Sequence, residues 1–281
     1  MARVSAAPIA RAGFYHFCML IDFWTFAFLC VSAFFAGVMN SVAGGGTLLT
    51  FPALTALLTP ALANATSTVA LLPGSFAGAL GYRKELWECR RFVGRMIVPS
   101  IAGGFLGAWL VGKNEDTFAT LVPWLILTAA VLFVVQAPLS KWVKQRAAAE
   151  GAHPDHHEPN GVTQTLVIGF QFLVAVYGGY FGAGIGILML SALGFMGVGD
   201  IHRMNAVKTF LAASINAASV VVFVRDGLVN WECAGVMAVA AIFGGYTGAR
   251  VARRLPARYV RYSVIVIGFG LSAYYFVKKF V

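Results

Sequence analysis

The sequence predicts an all-α, polytopic membrane protein built from two inverted-topology repeats. Three observations predict it. Composition is the first: 59% of the residues are hydrophobic, 11% are charged, and the mean hydropathy is +0.78, far from the average soluble domain. The second is a duplication. Gly103-Gly104-Phe105-Leu106-Gly107-Ala108 recurs 141 residues later (103 to 244) as Gly244-Gly245-Tyr246-Thr247-Gly248-Ala249, and Trp87-Glu88-Cys89 precedes the first copy as Trp231-Glu232-Cys233 precedes the second. The third is a pair of short apolar segments at matching places in the two copies, each directly after a glycine cluster.

The elements follow in order. Apolar segments lie near 22–40, 47–59, 65–81, 92–112, 118–137, 162–180, 185–198, 206–224, 231–250 and 259–277. Most approach the roughly 20 residues that a helix needs to cross about 30 Å of hydrocarbon. They fall about five to a half on that criterion, so 1–21 is an N-terminal tail, 22–137 the first repeat, 138–161 a polar cytoplasmic linker and 162–281 the second repeat. Segments 47–59 and 185–198 extend only about 20 Å at roughly 1.5 Å per residue, and they read as broken or re-entrant helices. Short, Gly-interrupted segments in corresponding positions of two repeats point to a transporter's binding site.

Loop charge assigns sidedness. Arg83, Lys84, Arg90, Arg91 and Arg95 in one loop, Lys141, Lys144 and Arg146 in a second, and Arg250, Arg253, Arg254, Arg258 and Arg261 in a third are expected on the cytoplasmic side. The balanced loops, Lys113 with Glu115 and Asp116, and Arg225 with Asp226 and Glu232, then fall outside. The loop after the third segment is thereby inside in the first half and outside in the second, which inverts the second copy. The same count puts the N-terminus outside, against the vote of Arg3 and Arg11. No small-residue cleavage site is clear in the N-terminal region, so the first segment is expected to be retained as a span.

The net charge of +10 does not imply a nucleic-acid partner, because the positive residues sit at segment ends. They retain loops inside and attract anionic headgroups of the bilayer. The cysteines form no C-x-x-C pair, and no histidine spacing suits zinc. His153-Pro154-Asp155-His156-His157-Glu158 offers ligand-type side chains, but it lies in the polar linker and reads as solvated chain. No cofactor is expected.

Candidate site residues cluster at the glycines. The first-half run is Asn40-Ser41-Val42-Ala43-Gly44-Gly45-Gly46-Thr47, and the second is Gly182-Ala183-Gly184-Ile185-Gly186. Glycines break the helix here, and at the start of the next half-helix unpaired N–H groups carry about half a positive charge, enough to hold an oxyanion. For Gly74/Gly78, Gly103/Gly107 and Gly244/Gly248 the better reading is close helix packing, within the chain or in a homodimer. After each short segment comes a polar stretch, Asn64-Ala65-Thr66-Ser67-Thr68 and Asn205-Ala206-Val207-Lys208-Thr209, with Asn64 matching Asn205 and Thr68 matching Thr209. Their Asn and Thr residues could be helix caps. Lys208 stands out, because a cation at mid-membrane costs about 2.5–3.5 kcal/mol; it either serves a ligand or snorkels to the interface beside Arg203.

These residues, Asn40 followed by Ala43-Gly44-Gly45-Gly46, Pro52 six residues after the last glycine, the Ala-Thr-rich helix start and the loop with Trp87, resemble the TauE/SafE sulfite exporter family, also called TSUP. The resemblance runs from about Phe34 to Val277 and includes the degenerate second copy. Thr47 stands where a fourth glycine is common in that family, and Ser191 replaces the second-half proline; both departures bear on the substrate more than on the fold. The resemblance implies movement of a small sulfur-containing or carboxylate anion across the cytoplasmic membrane. It implies that the glycine-rich segments and the Asn/Thr helix starts form the central site.

The reading that follows is a secondary transporter of a small organosulfur anion such as sulfite, thiosulfate or a C2–C3 sulfonate. The anion would be held by Gly44, Gly45, Gly46 and Thr47 in one repeat and Gly184 and Gly186 in the other. Asn40, Thr66, Ser67, Asn205 and Thr209 would add polar groups, with Lys208 as charge partner. No P-loop motif is present, so coupling would use an ion gradient, H+ or Na+. The alternatives are a permease for another solute, carboxylate or metal ion, or an intramembrane enzyme or scaffold. H-E-x-x-H is absent, and the five histidines lie outside the segment interiors.

Overall fold

The computed structural model describes residues 23–42, 45–149, 161–195, 201–251 and 257–280. Every regular element among them is helical: α1 Phe23–Val42, α2 Thr47–Thr55, α3 Pro60–Gly81, α4 Arg83–Glu88, α5 Arg90–Lys113, α6 Glu115–Ala149, α7 Gly161–Tyr180, α8 Ile185–Phe195, α9 Ile201–Arg225, α10 Trp231–Val251 and α11 Ala257–Phe280. Helices α1, α2, α3, α5 and α6 correspond in order to α7, α8, α9, α10 and α11.

The repeats interlock. Helix α1 of the first half packs on α10 of the second, and α7 of the second packs on α5 of the first. The duplicated glycine cluster is what lets them meet. A Cβ at Gly103 would lie 2.7 Å from the Phe172 carbonyl oxygen, one at Gly107 2.2 Å from that of Val176, and one at Gly244 1.9 Å from that of Phe34. Backbones touch at these points, as small-residue helix contacts in membranes allow. The faces of Gly103, Gly107 and Gly244 are therefore occupied inside the chain. Gly74 and Gly78 are looser, with a Cβ there in ordinary contact with Ala241 and Thr209.

Inversion is visible where equivalent helices meet. Gly268 of α11 lies against Ala130 of α6, the Ser272 hydroxyl donates to the Pro123 carbonyl at 3.3 Å, and the Phe276 ring meets Trp124 edge-on. Gly268, early on α11, meets Ala130, while Ser272 and Phe276, later on α11, meet Pro123 and Trp124, earlier on α6, so the two equivalents are antiparallel. Repeats of like orientation would place them parallel.

The membrane-facing character is equally direct. Large apolar side chains such as Val98, Leu166, Leu173, Phe243 and Val266 are exposed on the outer helix faces, which in water would make an extensive apolar patch. Four described helices are long and apolar enough to cross a bilayer, within Phe23–Asn40, Arg90–Lys113, Glu115–Val135 and Arg203–Arg225. Helix α5 has an anchor at each end: Arg90 lies over the Trp87 ring at 4.9 Å, and Lys113 over Trp109 at 4.7 Å. Such aromatic and basic residues prefer the interfacial layers.

Three elements differ from the sequence reading. Helix α3 starts at Pro60 rather than near Ala65, because proline at the first helical position has its φ preset and no N–H to satisfy. Asn64 and Asn205 therefore lie inside α3 and α9 and are not caps. The basic loop after α3 folds into the short helix α4. Helix α6 runs on to Ala149, so the first part of the expected linker is helical; that stretch, with Ala147–Ala149, is rich in good helix formers. The His153–Glu158 string lies outside the described residues.

Candidate functional site

Both short helices begin at a sharp turn that only glycine accommodates well. Gly45 has φ +88°, and Gly182 and Gly184 have φ +79° and +83°, a region costly for residues with a Cβ. Each turn sends the chain back along the helix it has just left. Gly46 packs on the Ala36 carbonyl of α1, and the Ile185 side chain packs on Gly178 of α7. The Tyr177 hydroxyl pins the second turn by donating to the Ala183 carbonyl at 2.9 Å.

The two breaks meet inside the molecule. A Cβ at Gly182 would come to 4.0 Å from the Thr47 hydroxyl oxygen; Gly45 abuts the Phe133 ring, and Gly184 abuts Leu132 on the same helix, α6. Phe51 of α2 and Phe181 of the second break stack edge to face with centroids 5.4 Å apart. The Asn64 side chain of α3 donates from Nδ2 to the Tyr180 carbonyl at 3.1 Å. First-half and second-half candidates thus share one neighbourhood.

The breaks are not chemically equivalent. At the start of α2, Asn40 Oδ1 accepts the Gly46 N–H at 2.8 Å, while the Leu48 and Leu49 N–H groups donate to the carbonyls of Gly45 and Gly46. Asn40 reaches over the turn and consumes a donor that the sequence reading offered to a ligand, which leaves the Thr47 N–H as the open one of this turn among the described residues. Ser67 shares a 2.5 Å hydrogen bond with Thr50, whose hydroxyl also lies 3.3 Å from the Gly46 carbonyl. Gly44 lies outside the described residues.

At the start of α8 the donors stay open. Among the described residues no acceptor takes the N–H of Ile185 or Gly186. The Lys208 stem crosses this first turn: its Cδ would be 3.2 Å from a Cβ at Gly186. Its amine donates to Asn205 Oδ1 at 3.1 Å, so the cation is held by a protein partner, one turn back on α9. Arg203 is engaged elsewhere, with Glu88 of α4 at 2.8 Å. The positive end of α8 and the lysine amine reinforce each other, and both favour an anion.

Other candidates serve different contacts. The Thr66 hydroxyl oxygen, fully buried, accepts the Asn230 N–H at 3.0 Å, and Asn230 Oδ1 in turn accepts the Cys233 N–H at the start of α10. Thr66 thereby ties α3 to the loop before α10. Thr209 packs its methyl toward Gly78 of α3. Two residues join the neighbourhood that the candidate set omitted. Thr50 is one, and only its spacing after Thr47 hinted at it. Asn64 is the other; its equivalence to Asn205 was the available signal. Asn64 Oδ1 is the buried side-chain acceptor without a hydrogen-bond partner among the described residues, a state that costs about 1–3 kcal/mol if nothing fills it.

Comparison with known proteins decides the family. The Sulfite exporter TauE/SafE family matches residues 29–275, nearly the whole chain. The chain belongs to the TauE/SafE family. Curated relatives agree over almost their full lengths. The chain is 29% identical over 255 residues to "Probable membrane transporter protein ORF9" of Sinorhizobium sp, covering 90% of this chain and 92% of the relative. It is 26% identical over 243 residues to "Probable membrane transporter protein YfcA" of Escherichia coli strain K12, covering 86% of each. It is 24% identical over 265 residues to "Probable membrane transporter protein YunE" of Bacillus subtilis strain 168, covering 87% and 96%. No solved structure matches. This TauE/SafE chain is accordingly a multi-pass membrane transporter.

Proposed function

We propose that this TauE/SafE protein is a secondary transporter that moves a small organosulfur anion, such as sulfite, thiosulfate or a C2–C3 sulfonate, across the cytoplasmic membrane. One observation carries the reading: Lys208 lies across the N-terminus of α8 at Gly186, where the first N–H donors have no acceptor among the described residues, so a cation and open donors converge at the break. Neither group suits a metal-ion substrate, and together they fit a compact oxyanion. The family's description as a sulfite exporter points the same way. The inverted repeats support alternating access as the mechanism, by rocking of one repeat against the other about the site proposed between their broken helices. The bilayer and a coupling ion are its other partners.

Flux into proteoliposomes tests the proposal with sulfite, thiosulfate, C2–C3 sulfonates and acetate as the panel. Saturable flux of one sulfur anion is expected. Movement of acetate alone would shift the assignment to a carboxylate, and movement of none of them by folded protein would overturn it.

A further inference from the structure

We infer that the same break holds a second site, for a monovalent metal cation, on the other side of Gly182 and Gly184. The orphaned Oδ1 of Asn64 points to it. That atom is buried, with the residue 1% exposed, and no described group donates to it. The amide orientation is fixed by its own hydrogen bond, since Nδ2 must face the Tyr180 carbonyl; flipping it would set two acceptors against each other. Asn64 Oδ1 thus sits beside the C-terminal end of α7, the negative end of that helix dipole.

The repeat explains what belongs there. Asn205 is the equivalent of Asn64 in the second half, and its Oδ1 accepts the Lys208 amine at 3.1 Å. The residue equivalent to Lys208 in the first half is Ser67, which is committed to Thr50. One repeat therefore supplies its own cation to the asparagine, and the other has an asparagine oxygen with no donor among the described residues. The named acceptors, Asn64 Oδ1 and the carbonyl end of α7 at Tyr180, are neutral oxygens. They suit a singly charged metal ion better than a divalent one, which usually recruits carboxylates. They are also too weakly basic to take a proton. The cation at the end of α7 and the anion at the start of α8 would then be separated only by Phe181–Gly184, a placement in which each stabilises the other. The coupling role rests on the transport reading above; the cation site itself does not.

The test uses Na+ and no anion substrate. Thermal unfolding of the purified protein is followed in detergent as NaCl replaces choline chloride at constant ionic strength, for wild type, Asn64→Ala and Asn64→Asp. Saturable stabilisation of wild type by Na+ is expected, lost in Asn64→Ala and reached at lower Na+ in Asn64→Asp, which adds a charge to the site. If wild type melts identically in Na+ and choline, or if Asn64→Ala responds as wild type does, a water or a purely structural role is the answer and the inference falls. Should Asn64→Ala not fold, Asn64→Asp decides, and a sodium response no stronger than that of wild type overturns the site. Failure here leaves anion flux untouched, while failure of the flux panel leaves sodium binding measurable.

Discussion

Gly244→Ala should separate two halves of the molecule that now touch through backbone. The new Cβ would lie 1.9 Å from the Phe34 carbonyl oxygen, whereas carbon and oxygen settle at about 3.3 Å. Helices α1 and α10 must therefore move apart by about 1.4 Å at that level, or α10 must bend. Overpacking of this kind costs about 1–3 kcal/mol, or about 2–10 °C in the unfolding midpoint. Gly103→Ala, at the equivalent position in the other half, meets the Phe172 carbonyl at 2.7 Å and should fall at the milder end. Gly235→Ala is the control, because a Cβ there meets nothing within 4 Å; relief of backbone entropy should stabilise it by about 0.4–1 kcal/mol. Melting of each variant in one detergent, followed by size-exclusion chromatography, reads all three. If Gly244→Ala is as stable as wild type, or follows Gly235→Ala, the duplicated cluster does not join the repeats as described.

Further outcomes follow from single contacts. Thr66→Val keeps the shape but leaves the Asn230 N–H without its acceptor, so stability should drop by about 1–3 kcal/mol, whereas Thr209→Val should be nearly neutral to melting. Asn40→Ala leaves the Gly46 N–H without its acceptor and should cost about 1–3 kcal/mol; flux measured at a temperature where the variant is fully folded should persist, because the anion is assigned to α8. Gly45→Ala combines a left-handed φ with a Cβ 2.4 Å from the Phe133 ring, and it should express far less folded protein than Gly94→Ala, where nothing lies within 4 Å.

Much of this architecture is legible in the sequence because membranes impose simple rules. Duplication shows as repeated strings, spans show as apolar lengths, and a broken helix shows as glycine followed by too short a segment. The inverted arrangement could be inferred from arginine and lysine placement alone, and the antiparallel meeting of α6 and α11 agrees with it. Local signals were weaker. The start of α3 at Pro60 was hidden because the polar stretch 64–68 interrupts the apolar pattern and reads as a helix start, and α4 was hidden among loop charges. Least legible were roles set by contacts across the fold. Thr66 finds its partner 164 residues away at Asn230, and nothing near Thr66 announces it. Likewise, repeat equivalence paired Asn64 with Asn205, but only the fold shows that Asn205 faces a lysine amine and that Asn64 Oδ1 faces no donor among the described residues.

Lys208 offers the most direct test of the central claim that an anion binds at the α8 break. Saturable flux of the transported sulfur anion is measured in proteoliposomes for wild type, Lys208→Gln and Lys208→Arg, each checked for folding by its elution profile. Lys208→Gln is expected to lose most of the flux at low anion concentration, and Lys208→Arg, which keeps the charge, to retain part of it. Wild-type flux from folded Lys208→Gln would refute anion binding at α8 and leave Lys208 as a helix-packing residue.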